Sequence, residues 1–330
     1  MRPPALFLAT VLAIVCHACT SGRLGSGCGS DPEPTAIAVS NEAHAQESGK
    51  QPSERPATQP STPKPEPATQ KPETVPRNDA KPERPWAHNT GPSKPEALVP
   101  SGPLMIETDG AVYENIDVTG DVWIDADNVT IRNFRINAEG QSYGINVLEG
   151  HRGVLLEDGE ISGMSSAGVL GVGLTARRLH IHDSYGDGMK IQGEGGPTLV
   201  ESCFIEKLGT APEAHADGNQ TRGGSEITFR YNNIYMPAPG TPKYPGTPYK
   251  SNSAFFLQLD VANFVIEHNW LTGGNYTIYC ITNKGGVSVR NNIFGRDNGG
   301  LPEGSADRRI RSGNCDVWSG NVWEHTGRPL

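Results

Sequence analysis

The chain has no long hydrophobic run, no sustained helical period and no surplus of basic residues. Its longest apolar stretch runs from Ala5 to Val15, well short of the roughly 20 residues that a membrane-spanning helix needs. Nowhere do apolar residues recur at helical spacing for three turns, which excludes a helical bundle. Acidic residues outnumber basic ones 37 to 28, a formal net charge of −9. Residues 101–330 hold 27 acidic and 18 basic residues, so the whole of that charge lies there. A domain of this sign lacks the basic footprint of general phosphate binding, and no nucleic-acid partner is expected. Cysteine is scarce too, with six in the chain, and none has the Cys/His spacing of a zinc site.

What is there begins as an export signal over residues 1–28. Arg2 precedes the apolar run, and small residues and cysteine follow it. Cys19, directly after Ala18, is a candidate lipidated first residue of a mature chain; ordinary cleavage and release is the alternative. Residues 29–100 are rich in Pro, Glu, Lys and Thr, with a proline every few residues from Gln51 to Pro85. With almost nothing apolar to bury, this segment is expected to be a disordered spacer. Residues 101–330 remain as one folded domain. Leader, spacer and domain together predict an exported monomer, either a cell-surface lipoprotein or secreted, touching a membrane only through an N-terminal lipid.

From Val112 onward a degenerate repeat runs through the domain. Its clearest copies are Ile131-Arg132-Asn133-Phe134-Arg135-Ile136, Phe229-Arg230-Tyr231-Asn232-Asn233-Ile234, Ile266-Glu267-His268-Asn269-Trp270-Leu271 and Val289-Arg290-Asn291-Asn292-Ile293-Phe294. Weaker copies end at Ile161, Ile181, Ile205 and Trp323, with a period mostly in the twenties. Within each copy the apolar positions alternate, which is strand periodicity. Short strands, Asn and Gly at corners and a fixed period predict an all-β solenoid: a single-stranded right-handed parallel β-helix. Its coils should stack about 4.8 Å apart, so that equivalent residues form columns and corner Asn side chains bond up them. A β-sandwich would instead show hairpin turns every 8–12 residues.

The segments Asn128-Val129-Thr130-Ile131-Arg132-Asn133, His215-Ala216-Asp217-Gly218-Asn219-Gln220 and Gly320-Asn321-Val322-Trp323-Glu324 carry a resemblance. From about Leu104 to Leu330 the chain resembles the pectate-lyase-like superfamily of right-handed β-helix proteins, and within it a bacterial secreted group of largely unassigned activity. The resemblance implies the fold. It implies no single activity, because this fold hosts lyases, hydrolases, epimerases and binding proteins. The Asn-Thr-Asp, Asp-Asp, Gly-His-Gly and Arg-Ile-Lys set of the polygalacturonase family is not found.

Polar chemistry concentrates in two successive coils. Asp187-Gly188-Met189-Lys190-Ile191-Gln192 and Asp217-Gly218-Asn219-Gln220-Thr221-Arg222 replace the bland Tyr143-Gly144-Ile145-Asn146-Val147 and Ala167-Gly168-Val169-Leu170-Gly171 of earlier coils. Aligned, Lys190, Gln220, Phe256 and Tyr279 share one column, and Gln192, Arg222, Gln258 and Ile281 the next. Alternation sends Met189, Ile191, Phe255 and Leu257 inward, leaving Lys190, Arg222, Gln192, Gln220 and Gln258 on one outer face. Two bases, three amides and flanking rings suit a sugar chain; a merely solvated sheet face is the plain alternative.

Asp187 and Asp217 fall in one column, where two bare carboxylates must share a proton, hold a base or bind a cation. A shared proton would serve acid–base chemistry. A Ca²⁺ would use Asp183 as a third ligand. The structural alternative is an Asp-Gly corner that caps backbone amides. His215 joins the same cluster. The insertion from Pro237 to Ser253 carries Tyr244 and Tyr249, expected as two exposed rings that could wall a groove beside the outer face; a tolerated surface insertion is the alternative. Cys203 is expected to be buried, and Cys280 and Cys315 are candidates for a disulfide.

Three functions follow. The first is β-elimination on an anionic polysaccharide, with Lys190 or His215 as base, Arg222 or Ca²⁺ on the uronate carboxylate, and Tyr279 as a distant acid. The second is glycoside hydrolysis by Asp187 and Asp217, which needs carboxyl groups about 6.5–9.5 Å apart if inverting. The third is non-catalytic glycan binding or a structural role at the surface.

Overall fold

The computed structural model of the chain describes residues 82–236, 249–282, 284–296 and 310–330. The export signal with Cys19, the spacer as far as residue 81 and Tyr244 lie outside them.

Among the described residues, twenty-four strands, most of them short, wind into a parallel β-helix. Apart from a 3₁₀ turn at Pro95–Ala97, the described residues contain no helix. The strands pair in parallel from coil to coil and form two stacks. Sheet A includes Thr130–Asn137, Val154–Ser162, Thr198–Glu201 and Phe204–Glu206. Sheet B includes Tyr143–Val147, Ala167–Leu170, Met189–Lys190, Ala216–Gly224 and Ile278–Thr282. The long strand Ser251–Glu267 passes from sheet B into sheet A.

The repeat read from the sequence sets this register. Ile136, Ile161, Ile181, Ile205, Ile234, Leu271, Phe294 and Trp323 pair in succession up sheet A. Ile131, Leu156, Ala176, Val200, Phe229, Ile266 and Val289 form a second column. Both columns point into one continuous core. Each fully buried aliphatic side chain contributes about 1.5–3 kcal/mol, so the stacked columns supply most of the driving force for coiling.

Between the two columns the chain turns through the left-handed region at Tyr231, His268, Asn291 and Gly320, with φ of 58°, 57°, 56° and 64°. The next residue in each of these coils is a buried Asn, and these four form a ladder. Asn232 donates from its backbone and side-chain nitrogens to Asn269 Oδ1, both at 2.9 Å. Asn269 does the same to Asn292 Oδ1 at 2.9 and 3.0 Å, and Asn292 to Asn321 Oδ1 at 3.0 Å. Cys203 occupies this column one coil below Asn232 and donates its N–H to Asn232 Oδ1 at 2.9 Å. Its thiol is buried, and burial pushes it up to about 12.

Ordered packing begins before residue 101, which corrects the spacer boundary taken from composition. Arg84 forms an ion pair with Glu324, and Pro85 accepts a hydrogen bond from Asn233 Nδ2 at 2.8 Å. Trp86 meets Phe204 edge-on, with ring centroids 5.4 Å apart. Gly91 donates to the Arg178 carbonyl at 2.9 Å, and Asn133 brackets Lys94 through its N–H and C=O at 2.8 and 3.0 Å. Residues 84–98 thus form a strap along the outside of sheet A, ahead of the first strand, Val99–Ser101. Composition hides it because the segment needs only one aromatic and one guanidinium to bond to coils already built. At the far end, a disulfide joins Cys280 to Cys315 with Cα atoms 5.3 Å apart.

Candidate functional site

A glycine column explains where the two polar coils place their acids. Gly144, Gly168, Gly188 and Gly218 stack at the start of sheet B. A Cβ on Gly188 would lie 2.6 Å from both the Gly218 carbonyl oxygen and Ile205 Cγ2, and one on Gly218 2.4 Å from Ile234 Cγ2. The isoleucine column of sheet A therefore admits no side chain here. From Gly168 onward, the residue before the glycine turns into the corner instead of out to solvent. In successive coils that residue is Ala167, Asp187 and Asp217, and Ser253 pairs with Asp217 in the coil above.

Asp187 and Asp217 are accordingly brought together but buried, at 6% and 1% exposure. Each reaches up to the next coil. Asp187 Oδ1 accepts the Asp217 N–H at 2.8 Å. Asp217 Oδ1 accepts Ser253 Oγ–H at 2.5 Å and Asn252 Nδ2–H at 3.0 Å. Two carboxyl groups out of water cannot both ionise freely. Burial pushes Asp187 up to about 6, against the pull of the Lys190 ammonium and the Asp217 N–H. Burial and the Asp187 charge together push Asp217 well above the ordinary carboxylate range. The pair thus keeps a proton on Asp217, while Asp187 is the partner of Lys190. As carboxylates presented to a sugar on the outer face, both assignments are corrected, because the glycine corner directs them inward.

The proposed cation site is corrected as well. Asp183 leaves the pair and bonds His182 Nδ1 at 2.6 Å. Among the described residues, no group of three His, Cys, Asp or Glu side chains is placed to hold a metal ion. The Lys190 ammonium, 3.4 Å from Asp187 Oδ2, supplies the positive charge that a cation would have brought.

The outer face of sheet B carries the remaining groups. Lys190 is half-buried, its Nζ donating to Ser166 Oγ at 2.8 Å. Gln220, Phe256 and Tyr279 pair in succession, as do Arg222, Gln258 and Ile281. Gln192 Oε1 accepts the Arg222 N–H at 3.3 Å. Arg222 itself is exposed. Phe256 and Tyr276 each meet Tyr279 edge-on at 5.0 Å. Tyr279 Oη donates to Asn252 Oδ1 at 3.5 Å. Asn252 therefore links the surface phenol to the buried Asp217.

His215 stands apart from this network. Its ring is exposed and makes no hydrogen bond among the described residues. It lines an open depression of about 230 Å³ with Pro212, Glu213, Ala214, Lys250, Ser251 and Asn275. Tyr249 is not an exposed ring beside a groove but is 3% exposed, a correction. Burial, with the Asp183 and Glu206 carboxylates nearby, pushes its phenol up. An apolar ring on a short chain segment next to a sheet gains more by packing than by facing water.

A second ionic cluster lies on sheet A. His182 bonds Glu160 as well as Asp183, and His180 bonds Glu206 at 3.2 Å. Burial pulls His182 down, but the hydrogen bonds to Asp183 and Glu160 outweigh it and hold the imidazole at about 9. The His182 hydrogen bond in turn holds Glu160 down at about 2.

Sequence reasoning missed Ser166, Asn252, Ser253 and Tyr276. Ser253 had a signal, since it occupies the Asp column one coil up; Ser166 and Tyr276 lie off the strand repeat and had none.

No curated protein and no solved structure matches this chain. The sequence model of the right-handed β-helix region matches residues 115–294, more than half of the chain and including both polar coils. The chain belongs to the right-handed β-helix family.

Proposed function

We propose that this is an exported carbohydrate-active protein of the pectate-lyase-like type that cleaves an anionic polysaccharide by β-elimination on the outer face of sheet B. One observation carries the reading: Lys190 Nζ is fixed between Asp187 and Ser166, one coil from the exposed Arg222. Arg222 neutralises the uronate carboxylate, which acidifies the C5 proton. Lys190, whose ammonium proton has first passed to the neighbouring Asp187 carboxylate, takes that proton as the neutral amine. The C5–H electrons form a C4=C5 bond, and the C4–O4 bond breaks. The departing oxygen takes a proton from Tyr279, the phenol joined through Asn252 to the buried carboxyl pair. Gln192, Gln220 and Gln258 bond sugar hydroxyls, and Phe256 and Tyr279 stack on ring faces. Export fits the Cys280–Cys315 disulfide, which persists in an oxidising compartment.

Hydrolysis by the Asp pair is the weaker reading, because Asp217 is enclosed and Asp187 nearly so, away from the outer face. The test is to incubate the full chain with a panel of uronate polymers. Ultraviolet absorbance of the new C4=C5 bond, lost in Lys190→Ala and Arg222→Ala, is the expected result. New reducing ends without that absorbance would mean hydrolysis. Binding without either product would mean a glycan-binding protein and would end the catalytic reading.

A further inference from the structure

We propose a second activity on the same face: Ser166 and Lys190 form a nucleophile–base pair that removes ester-linked acyl groups from sugar hydroxyls. The proposal takes from the reading above only where the sugar lies; its chemistry and its test stand apart from β-elimination.

Ser166 lies at the glycine corner, on the coil below Lys190. Its main chain is fixed on both sides. The Ser166 N–H donates to the Ser142 carbonyl of the coil below at 2.9 Å, and its carbonyl accepts the Asp187 N–H of the coil above at 2.7 Å. Gly186 lets the upper coil close on it, since a Cβ there would lie 2.6 Å from the Ser166 carbonyl oxygen. The hydroxyl faces outward, its direction fixed by the bond from Lys190 Nζ at 2.8 Å. Neither group is enclosed: Ser166 is half-buried, and the Lys190 side chain is 21% exposed.

Three groups stand in the order that an activated serine requires. The nucleophile is within hydrogen-bond reach of a base, and a third group orients the base, here Asp187 Oδ2 at 3.4 Å from Nζ. Lysine serves in place of histidine as the base of some catalytic serines. A lysine base has to be neutral, and Asp187 is placed to take its proton. Burial pushes that carboxyl group up to about 6, so it accepts a proton more readily than an ordinary carboxylate. Lys190 then takes the Ser166 hydroxyl proton while Oγ attacks the ester carbonyl carbon and forms the Oγ–C bond. The tetrahedral intermediate collapses, the C–O bond to the sugar breaks, and the departing oxygen takes the proton back from Lys190. Water attacks the acyl-serine and gives a proton to Lys190, which passes it to the departing Ser166 oxygen.

The surroundings fix the class of substrate. The N–H groups of Ser166, Ala167 and Asp187 all donate to carbonyl oxygens and are not free to hold an oxyanion. The Lys190 ammonium formed in the first step is the charge beside it. That arrangement suits an ester, whose carbonyl is more reactive than that of an amide. Gln192, Gln220 and Gln258 lie at or beyond the Lys190 column, whereas Ser166 lies before it. The sugar therefore sits on the strand side as the leaving group, and the acyl group on the corner side.

The experiment treats the full chain with a fluorophosphonate, which phosphorylates an activated serine, and maps the adduct by peptide mass spectrometry. Acetate release from an O-acetylated uronate polymer is measured alongside. One adduct, on Ser166, is expected, and Ser166→Ala should abolish both the adduct and the release. Lys190→Arg keeps a positive charge beside Asp187 but does not deprotonate. It should slow labelling about 100- to 10,000-fold, the contribution of a general base, while melting close to the parent. Absence of an adduct on Ser166, or equal labelling in Lys190→Arg, would overturn the proposal, because a serine that only fixes the ammonium is not activated. An adduct without acetate release would overturn it too, since the serine would then serve another substrate. Absorbance of the C4=C5 bond from an unacylated polymer separates the two activities. Absorbance with no adduct leaves β-elimination standing and removes the esterase. An adduct and acetate release without absorbance does the reverse.

Discussion

Asp217 gives this domain an unusual dependence on pH. A carboxyl group raised by burial binds its proton more tightly folded than unfolded, so the folded state carries the extra proton. Stability contributed in this way is present below the unfolded pKa and is lost as pH rises through the folded one. For Asp187 that window runs from 3.8 to about 6, and for Asp217 it extends higher. Asp217→Asn mimics the neutral form and keeps an oxygen for Ser253 and Asn252. Denaturant midpoints measured from pH 4 to 8 should therefore fall less steeply in Asp217→Asn than in the parent; equal slopes would show that the pair does not hold the proton. Lys190 belongs to the same account. Although it faces outward, it is the counter-charge of a buried acid, so Lys190→Met should destabilise the fold. The loss should be small at pH 5, where Asp187 is largely protonated, and should grow toward pH 8, where it is not. A loss independent of pH would mean that Lys190 acts through packing alone. Glu160 and His182 do not confuse these comparisons. The stability from Glu160 is present above 4.5 and lost as pH falls toward about 2. That from His182 is present below 6.5 and lost as pH rises toward about 9, equally in parent and variants.

The asparagine ladder is the element that ties the later coils together. Asn269 accepts two hydrogen bonds from Asn232 and donates to Asn292 and to the Phe229 carbonyl. Asn269→Ala would leave the Asn232 backbone N–H buried and unsatisfied and its Nδ2 with the Val200 carbonyl alone, and would strip the Phe229 carbonyl of a donor, at a cost of about 1–3 kcal/mol for each group affected. A loss of about 2–5 kcal/mol by denaturant unfolding is expected; less than 1 kcal/mol would mean that water replaces the rung. This element was legible in the sequence, because Asn232, Asn269, Asn292 and Asn321 recur at one place in the repeat and alternation places the flanking residues inside. The columns of Lys190, Gln220, Phe256 and Tyr279 were legible for the same reason. The direction of Asp187 and Asp217 was not. It depends on a contact between Gly188 or Gly218 and the isoleucines of sheet A, residues distant in sequence. The glycine breaks the alternation that would otherwise tell in from out. Tyr249 misled for a related reason: it adjoins a Pro- and Gly-rich insertion, but its ring belongs to the packed foot of the next strand.

Across the whole molecule, stacked coils have one weakness. Each contacts only its neighbours, so the order of the stack rests on local interfaces. The strap formed by residues 84–98 crosses that direction. It touches Glu324 and Asn233 through Arg84 and Pro85, Phe204 through Trp86, Arg178 through Gly91 and Asn133 through Lys94. Asn133 and Asn233 lie about 19 Å apart along the axis if each of the four coil steps between them rises about 4.8 Å. One segment therefore links coils that have no contact with each other, and it adds cooperativity as well as stability. Two chains that begin at residues 82 and 99 differ only by this segment. The shorter should melt several degrees lower and over a broader range, because the coils can then open in smaller groups. Trp86→Ala in the longer chain should produce part of the same fall by removing the Phe204 contact, worth about 1 kcal/mol beyond its buried area. Identical melting of the two chains, in midpoint and width, would mean that the strap rests on the coils without supporting them. A fall in midpoint without broadening would assign it stability but no part in cooperativity.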